Sequence, residues 1–120
     1  MNIEDLKVYK KLFILALDIY KLTLTFPKFE IYELGSQLRR SSNSPAANLA
    51  EGFDNKHTNI YLECISRAQG EIRETLHHLK MAQAHNYITK DKLEYFEKEY
   101  GECSKMLYGL EKALLKNHKK

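Results

Sequence analysis

Proline and glycine are scarce, 2 and 5 residues in a chain of 120. So few breakers and turn formers leave material for only a few connections, which argues against many short strands and for a handful of long helices. Cysteine is also sparse. Cys64 and Cys103 are the 2 present; without Cys-x-x-Cys spacing they exclude a metal knuckle or redox pair and are expected to be reduced thiols packed as small hydrophobes. Long apolar runs are missing as well, and the longest, residues 12–17, is too short to span a bilayer. The start, Met1, Asn2, Ile3, Glu4 and Asp5, is acidic where a secretory signal would be basic. A cytoplasmic protein without a membrane partner is therefore expected. Tryptophan is absent, and 8 tyrosines outnumber 5 phenylalanines, which suits helix interfaces where a ring is buried and its hydroxyl reaches a partner or water.

Catalytic signatures are missing too. There is no Gly-rich phosphate loop, and no Ser or Cys has a base and an orienting partner visible in the sequence. Glu74 and His77 form a Glu-x-x-His pair, the spacing that puts a carboxylate and an imidazole on one helix face in di-iron bundles. Such a site needs a second pair and further inward carboxylates, and neither is found. His57, His78, His85 and His118 have no ligand spacing with one another. The expectation is a protein that is not an enzyme, with no catalytic residue, metal, cofactor or small-molecule substrate.

What the chain does have is an ordinary globular balance, 43% hydrophobic and 29% charged residues with a net charge of +3. One domain over residues 1–120 can bury roughly two-thirds of the surface its unfolded form exposes. The mild positive charge permits an anionic partner without requiring one.

Residues 37–52 organise the rest. Leu34, Leu38, Pro45 and Leu49 recur at helical spacing, while Gln37, Ser41, Ser44, Asn48 and Glu51 recur four and three apart on the neighbouring face. A solvated face would carry Lys and Glu. Small hydrogen-bonding groups instead suggest a buried or interfacial seam, with Gln37, Ser44, Asn48, Glu51 and Gly52 as its members. Pro45 should kink this helix near residues 41–44, and Gly52 should cap its end.

Four helices are expected. The first has Asn2 as N-cap and Glu4 and Asp5 in its first turn, and it ends before Pro27; the second covers residues 28–52. A polar loop, 53–57, leads to a third helix beginning at Thr58, whose seam is Tyr61, Ile65, Ala68, Ile72, Leu76, Leu79 and Ala82; Gly70 suggests a close neighbour. Asn86 and Tyr87 make the last turn, with Thr89 as N-cap and Ile88 stapled to Leu93. The fourth helix carries Leu93, Phe96, Tyr100, Cys103, Leu107, Leu110 and Leu114, an alternation of three and four that reads as one narrow seam. Short connections then dictate an all-α, antiparallel up-down-up-down four-helix bundle.

The first helix is apolar over an arc of roughly 200°, more than one bundle core uses. Contact between copies of the chain through Leu12, Leu15, Ile19 and Leu22 would account for it; a tightly wrapped monomer core is the other use of such an arc. The remaining circumference carries Lys7, Lys10, Lys11 and Lys21. With Arg39 and Arg40 on the second helix they could neutralise RNA or DNA phosphates. Lys105, Lys112, Lys116 and Lys119 line the fourth helix, where they read equally as phosphate-neutralising groups or as solubilising charges balanced by Glu97, Glu99, Glu102 and Glu111. A protein-only adaptor is the competing function, and a metal-dependent enzyme a remote one.

These motifs resemble, over nearly the whole chain, a four-helix bundle family encoded in intervening sequences of bacterial 23S rRNA genes. The resemblance is carried by Asp5, Leu6 and Tyr9, by Phe26, Pro27, Tyr32 and Leu34, and above all by Gln37, Leu38, Arg39 and Arg40 leading to Ser44, Asn48, Ala50, Glu51 and Gly52. Glu33 and Glu71 stand where the family has glycine and a small residue. The resemblance implies a closed homopentameric ring, and it extends distantly to the accessory variability protein of diversity-generating retroelements, a basic barrel that engages a reverse transcriptase and nucleic acid. A scaffold or binding module with a nucleic acid or a nucleic-acid enzyme as partner is the expectation.

Overall fold

Asp5 closes the first turn of the chain by accepting the Asn2 backbone N–H at 2.9 Å. In the structure, a computed structural model that describes residues 1–118, this makes a 3-10 turn, Ile3–Asp5, and extended Leu6 separates it from helix α1, Lys7–Thr23. The single first helix expected from the pattern is thus a turn and a helix. Its far end tightens, as the N–H groups of Leu24, Thr25 and Phe26 donate to Lys21, Leu22 and Thr23 carbonyls. Pro27 then forbids continuation.

The second expected helix is also divided. A short α2, Lys28–Ile31, precedes α3, Leu34–Gly52, and the chain breaks at Glu33, whose φ and ψ are −107° and −95°. The break frees the Ile31 carbonyl, and Arg39 answers it with an Nη2 donor at 2.8 Å. A long-range guanidinium therefore stabilises a gap that local propensity would have closed. Helix α3 runs through Pro45. Ser41 and Ser42 hydroxyls there reach back to the Leu38 and Arg39 carbonyls, both at 3.4 Å.

Phe53 and Asp54 form a type II turn closed by the Asn55 N–H on the Gly52 carbonyl at 3.2 Å, with Asp54 at φ 54°. Gly52 is accordingly the last helical residue and not a left-handed cap. Helix α4, Thr58–Ala84, ends in a Schellman motif with Asn86 at φ 64° and the Tyr87 N–H on the Ala82 carbonyl at 2.8 Å. Thr89 Oγ1 then accepts the Lys92 N–H at 3.1 Å and opens α5, Lys90–His118. Lys119 lies outside the described residues.

Cross-helix partners of α3 and α4 run in opposite chain order: Gly52 meets Cys64 while Ser41 meets Thr75. That is the order antiparallel neighbours produce. The result is an all-α rod of 52 × 22 × 20 Å. One continuous core fills it, made by Val8, Leu12, Leu15 and Ile19 of α1, Leu38 and Leu49 of α3, Ile65, Ile72 and Leu79 of α4, and Phe96, Tyr100 and Leu107 of α5. Cys64 and Cys103 are free thiols within it, each pushed up to about 11 chiefly by burial. Among the described residues no helix is long and apolar enough to cross a membrane.

Candidate functional site

Helix α1 determines which surfaces are available for a partner. At about 100° per residue, Val8, Leu12, Leu15 and Ile19 fall on one face, and all four are buried in the subunit's own core. Leu12, Leu15 and Ile19 are therefore corrected as contact residues between copies, and Leu22 is half-buried against the same core. The outward apolar stripe is made instead by Phe13, Leu17, Tyr20 and Leu24, which are 50–54% exposed. Beside it runs a second stripe of exposed side chains, Lys7, Lys10 and Lys21.

The other expected cations are engaged within the subunit. Lys11 pairs with Glu99 at 3.3 Å and with Glu102 across the α1–α5 interface. Its hydrogen bond to Glu102 raises the ammonium above its ordinary value and, reciprocally, holds the Glu102 carboxyl below its own. Arg40 reaches Glu71 at 3.2 Å and also pairs with Glu74. Glu71 thus places its charge opposite a guanidinium. Arg39 is a structural bolt: Nη1 donates to Thr23 Oγ1 at 2.8 Å while Nη2 holds Ile31. Of the six cations singled out, Lys7, Lys10 and Lys21 share the open face of α1, and Lys11, Arg39 and Arg40 already have partners.

The polar stripe of α3 divides in the same way. Ser41 is buried and accepts a hydrogen bond from Thr75 Oγ1 at 2.9 Å, and the same Thr75 hydroxyl lies 2.9 Å from the Glu71 carbonyl. Asn48 Nδ2 donates to the Ser44 carbonyl at 2.9 Å and lies 3.1 Å from its hydroxyl. Gln37 and Glu51 are exposed and Ser44 and Asn48 half-buried, so the buried part of the stripe is Ser41, joined by Ser42 one residue round. Thr75 was missed because it stands as one small polar residue in an otherwise apolar seam; that anomaly between Ile72 and Leu79 was the available signal.

Glu74 accepts from Arg40 and lies 3.1 Å from His78 Nε2, so its carboxylate is held by neighbours on α3 and α4. Burial first, then His77 and Arg40, push the His78 imidazole below its ordinary value. Among the described residues no three His, Cys, Asp or Glu side chains gather as metal ligands would. Around Gly70 a Cβ would meet, among the described residues, the Arg73 side chain at 3.8 Å, an ordinary contact, so no close neighbour there requires a glycine.

Two clefts flank α1 on its α5 side. One of about 610 Å³ is lined by Asp18, Lys21, Lys92, Tyr87, Tyr95 and Phe96 among others. Another of about 310 Å³ is lined by Lys7, Lys10, Lys11, Ile14, Tyr95 and Glu99 with Leu15. On the α3 side, a cleft of about 530 Å³ brings Leu17 and Tyr20 against Ser36, Arg39, Arg40 and Asn43.

Residues 4–109 match the family described as 23S rRNA-intervening sequence protein. No curated protein matches the chain.

Proposed function

The chain belongs to the 23S rRNA-intervening sequence protein family, and from that premise we propose that it is a non-enzymatic, cytoplasmic scaffold or binding module, a homopentamer that engages nucleic acid or a nucleic-acid enzyme. One observation carries the reading. Helix α1 keeps an apolar stripe of Phe13, Leu17, Tyr20 and Leu24 exposed beside a stripe of Lys7, Lys10 and Lys21. An apolar stripe with four side chains about half exposed is costly to leave in water, at roughly 25 cal/mol per Å² of apolar surface, and a second copy of the chain removes that cost. Rotational symmetry then repeats the adjacent lysines around a ring, so that a modest net charge of +3 per chain becomes a concentrated field.

Light scattering after nuclease treatment tests the first half. A stable oligomer is expected, and Leu17→Asp with Tyr20→Asp should yield folded monomer. A monodisperse monomer for the unaltered chain overturns the assembly. Binding to RNA or DNA should fall steeply with salt, and a triple Lys7→Glu, Lys10→Glu, Lys21→Glu variant should abolish it. Affinity indifferent to both, with a polypeptide retained after nuclease treatment, would favour a protein-only adaptor.

A further inference from the structure

The α1–α5 side of the rod carries a combination of groups that the nucleic-acid reading does not specify. The two clefts there share Tyr95, which lines both. Above it along α1 lie Lys7 and Lys10, below it Lys21, and Lys92 comes from the first turn of α5. From Lys7 to Lys21 the helix advances about 21 Å. None of Lys7, Lys10, Lys21 and Lys92 has an ion-pair partner among the described residues. Lys11 and Glu99 offset each other at 3.3 Å, which leaves Asp18 as the acidic side chain facing these cations in the clefts.

Tyr95 is set up as a platform. Its ring packs edge-on against Phe96, centroids 5.2 Å apart at 75°, and Phe96 is anchored in the core while Tyr95 stays 47% exposed. A buttressed, half-exposed aromatic at the meeting point of two clefts lined with cations fits a ligand in which planar apolar groups alternate with anions.

We infer that the cleft between α1 and α5 is a track for single-stranded nucleic acid, with bases stacking on Tyr95 and phosphates held by Lys10, Lys21 and Lys92. This rests on the nucleic-acid reading above and narrows its ligand class. A duplex presents its phosphates to a surface but keeps its base faces occupied by its own stacking, so it has no use for Tyr95. An unpaired strand offers both, and stacking on an aromatic platform tolerates any base. The apolar floor contributed by Ile14 and Leu15 suits a base or ribose better than it suits an extended acidic peptide.

Fluorescence anisotropy of labelled polyuridine on the full chain tests the track, with a duplex RNA of equal length and polyglutamate as competitors. Polyuridine should bind most tightly. Tyr95→Ala should weaken it by about tenfold or more, since one stacked base contributes roughly that factor. Tyr95→Phe should retain binding, because the platform needs a ring and not a hydroxyl. Lys10→Glu with Lys21→Glu should flatten the salt dependence. Equal loss in the Ala and Phe variants, no loss in either, or competition by polyglutamate as strong as by RNA overturns the inference. If duplex RNA binds as tightly as polyuridine and is indifferent to Tyr95, the single-strand track fails while the broader reading stands; if neither RNA binds, both fail. Tyr95 is exposed, so a melting curve unchanged from the parent keeps the comparison clean.

Discussion

Gly52 presses directly on Cys64: a Cβ placed at residue 52 would lie 2.6 Å from the Cys64 Cβ and 2.8 Å from its Sγ. The glycine closes the α3–α4 hairpin by letting two backbones approach where a side chain would collide. Gly52→Ala should destabilise the subunit by about 1–3 kcal/mol despite a gain in helix propensity, because the overlap involves backbone-bound carbon that cannot swing away. Cys64→Ala should not rescue it, since the Cβ remains; Cys64→Gly should recover part of the loss. Urea titration of the single and double variants measures both.

Arg39 and Arg40 are neighbours in sequence with opposite weights. Arg39 satisfies Thr23 Oγ1 and the otherwise free Ile31 carbonyl at 2.8 Å each, so Arg39→Ala should cost about 1.5–3 kcal/mol. Arg40, with its side chain 52% exposed beside Glu71 and Glu74, should cost about 0–1 kcal/mol and less in high salt. Chemical denaturation at low and high salt separates the two, and equal losses would contradict the assigned roles.

Tyr100 is fully buried, and its hydroxyl has no hydrogen-bond partner among the described residues. Burial, with Cys103 and Asp18 nearby, raises the phenol well above its ordinary range. Tyr100→Phe keeps the ring and removes the unsatisfied group, so the melting temperature should hold or rise, by the equivalent of about 1 kcal/mol. A clear fall would mean that the hydroxyl has an unrecognised partner.

His78 should make stability depend on pH. Its neutral form is favoured in the folded state by burial, His77 and Arg40, with Glu71 opposing and Glu74, 3.1 Å away, already shared with Arg40. The unfolded chain therefore binds the proton more readily. Stability is complete above the ordinary imidazole value near 6.5 and is lost as pH falls from there towards the lower folded value. Melting curves across that range should slope downward with acid, and His78→Gln should remove this contribution to the slope.

The seams of α4 and α5 were legible in the sequence because a three-four alternation can satisfy only one buried face. Tyr61, Ile65, Ala68, Ile72, Leu79 and Ala82 are buried, as are Phe96, Tyr100, Cys103 and Leu107, with Leu76, Leu93, Leu110 and Leu114 packed partly against them. Thr89 and Asn86 act at the positions their chemistry favours. The candidate surfaces were less legible. An arc of roughly 200° on α1 records that two sides are apolar but not which side meets the core, so the pattern alone does not separate Leu12, Leu15 and Ile19, which the core takes, from Phe13, Leu17 and Tyr20, which it leaves exposed. The pairing of Lys11 with Glu102 and of Arg40 with Glu74 joins residues 91 and 34 positions apart, beyond any local pattern. The break at Glu33 escaped for the same reason, since its stabilising group arrives from Arg39.

Both hairpin connections near Tyr87 are laced together. The Tyr87 hydroxyl donates to Glu30 at 2.8 Å, its ring lies 5.5 Å from Phe26 and stacks on His85, and Arg39 ties α3 to Thr23 and Ile31 close by. The opposite extremity has the Phe53–Tyr61 edge contact and the short turn at Asp54. Local opening should therefore start preferentially at the Asp54 extremity, with amide protons of the first turn of α4 expected to exchange sooner than those at the end of α1, so that the molecule frays like a cord knotted at one end.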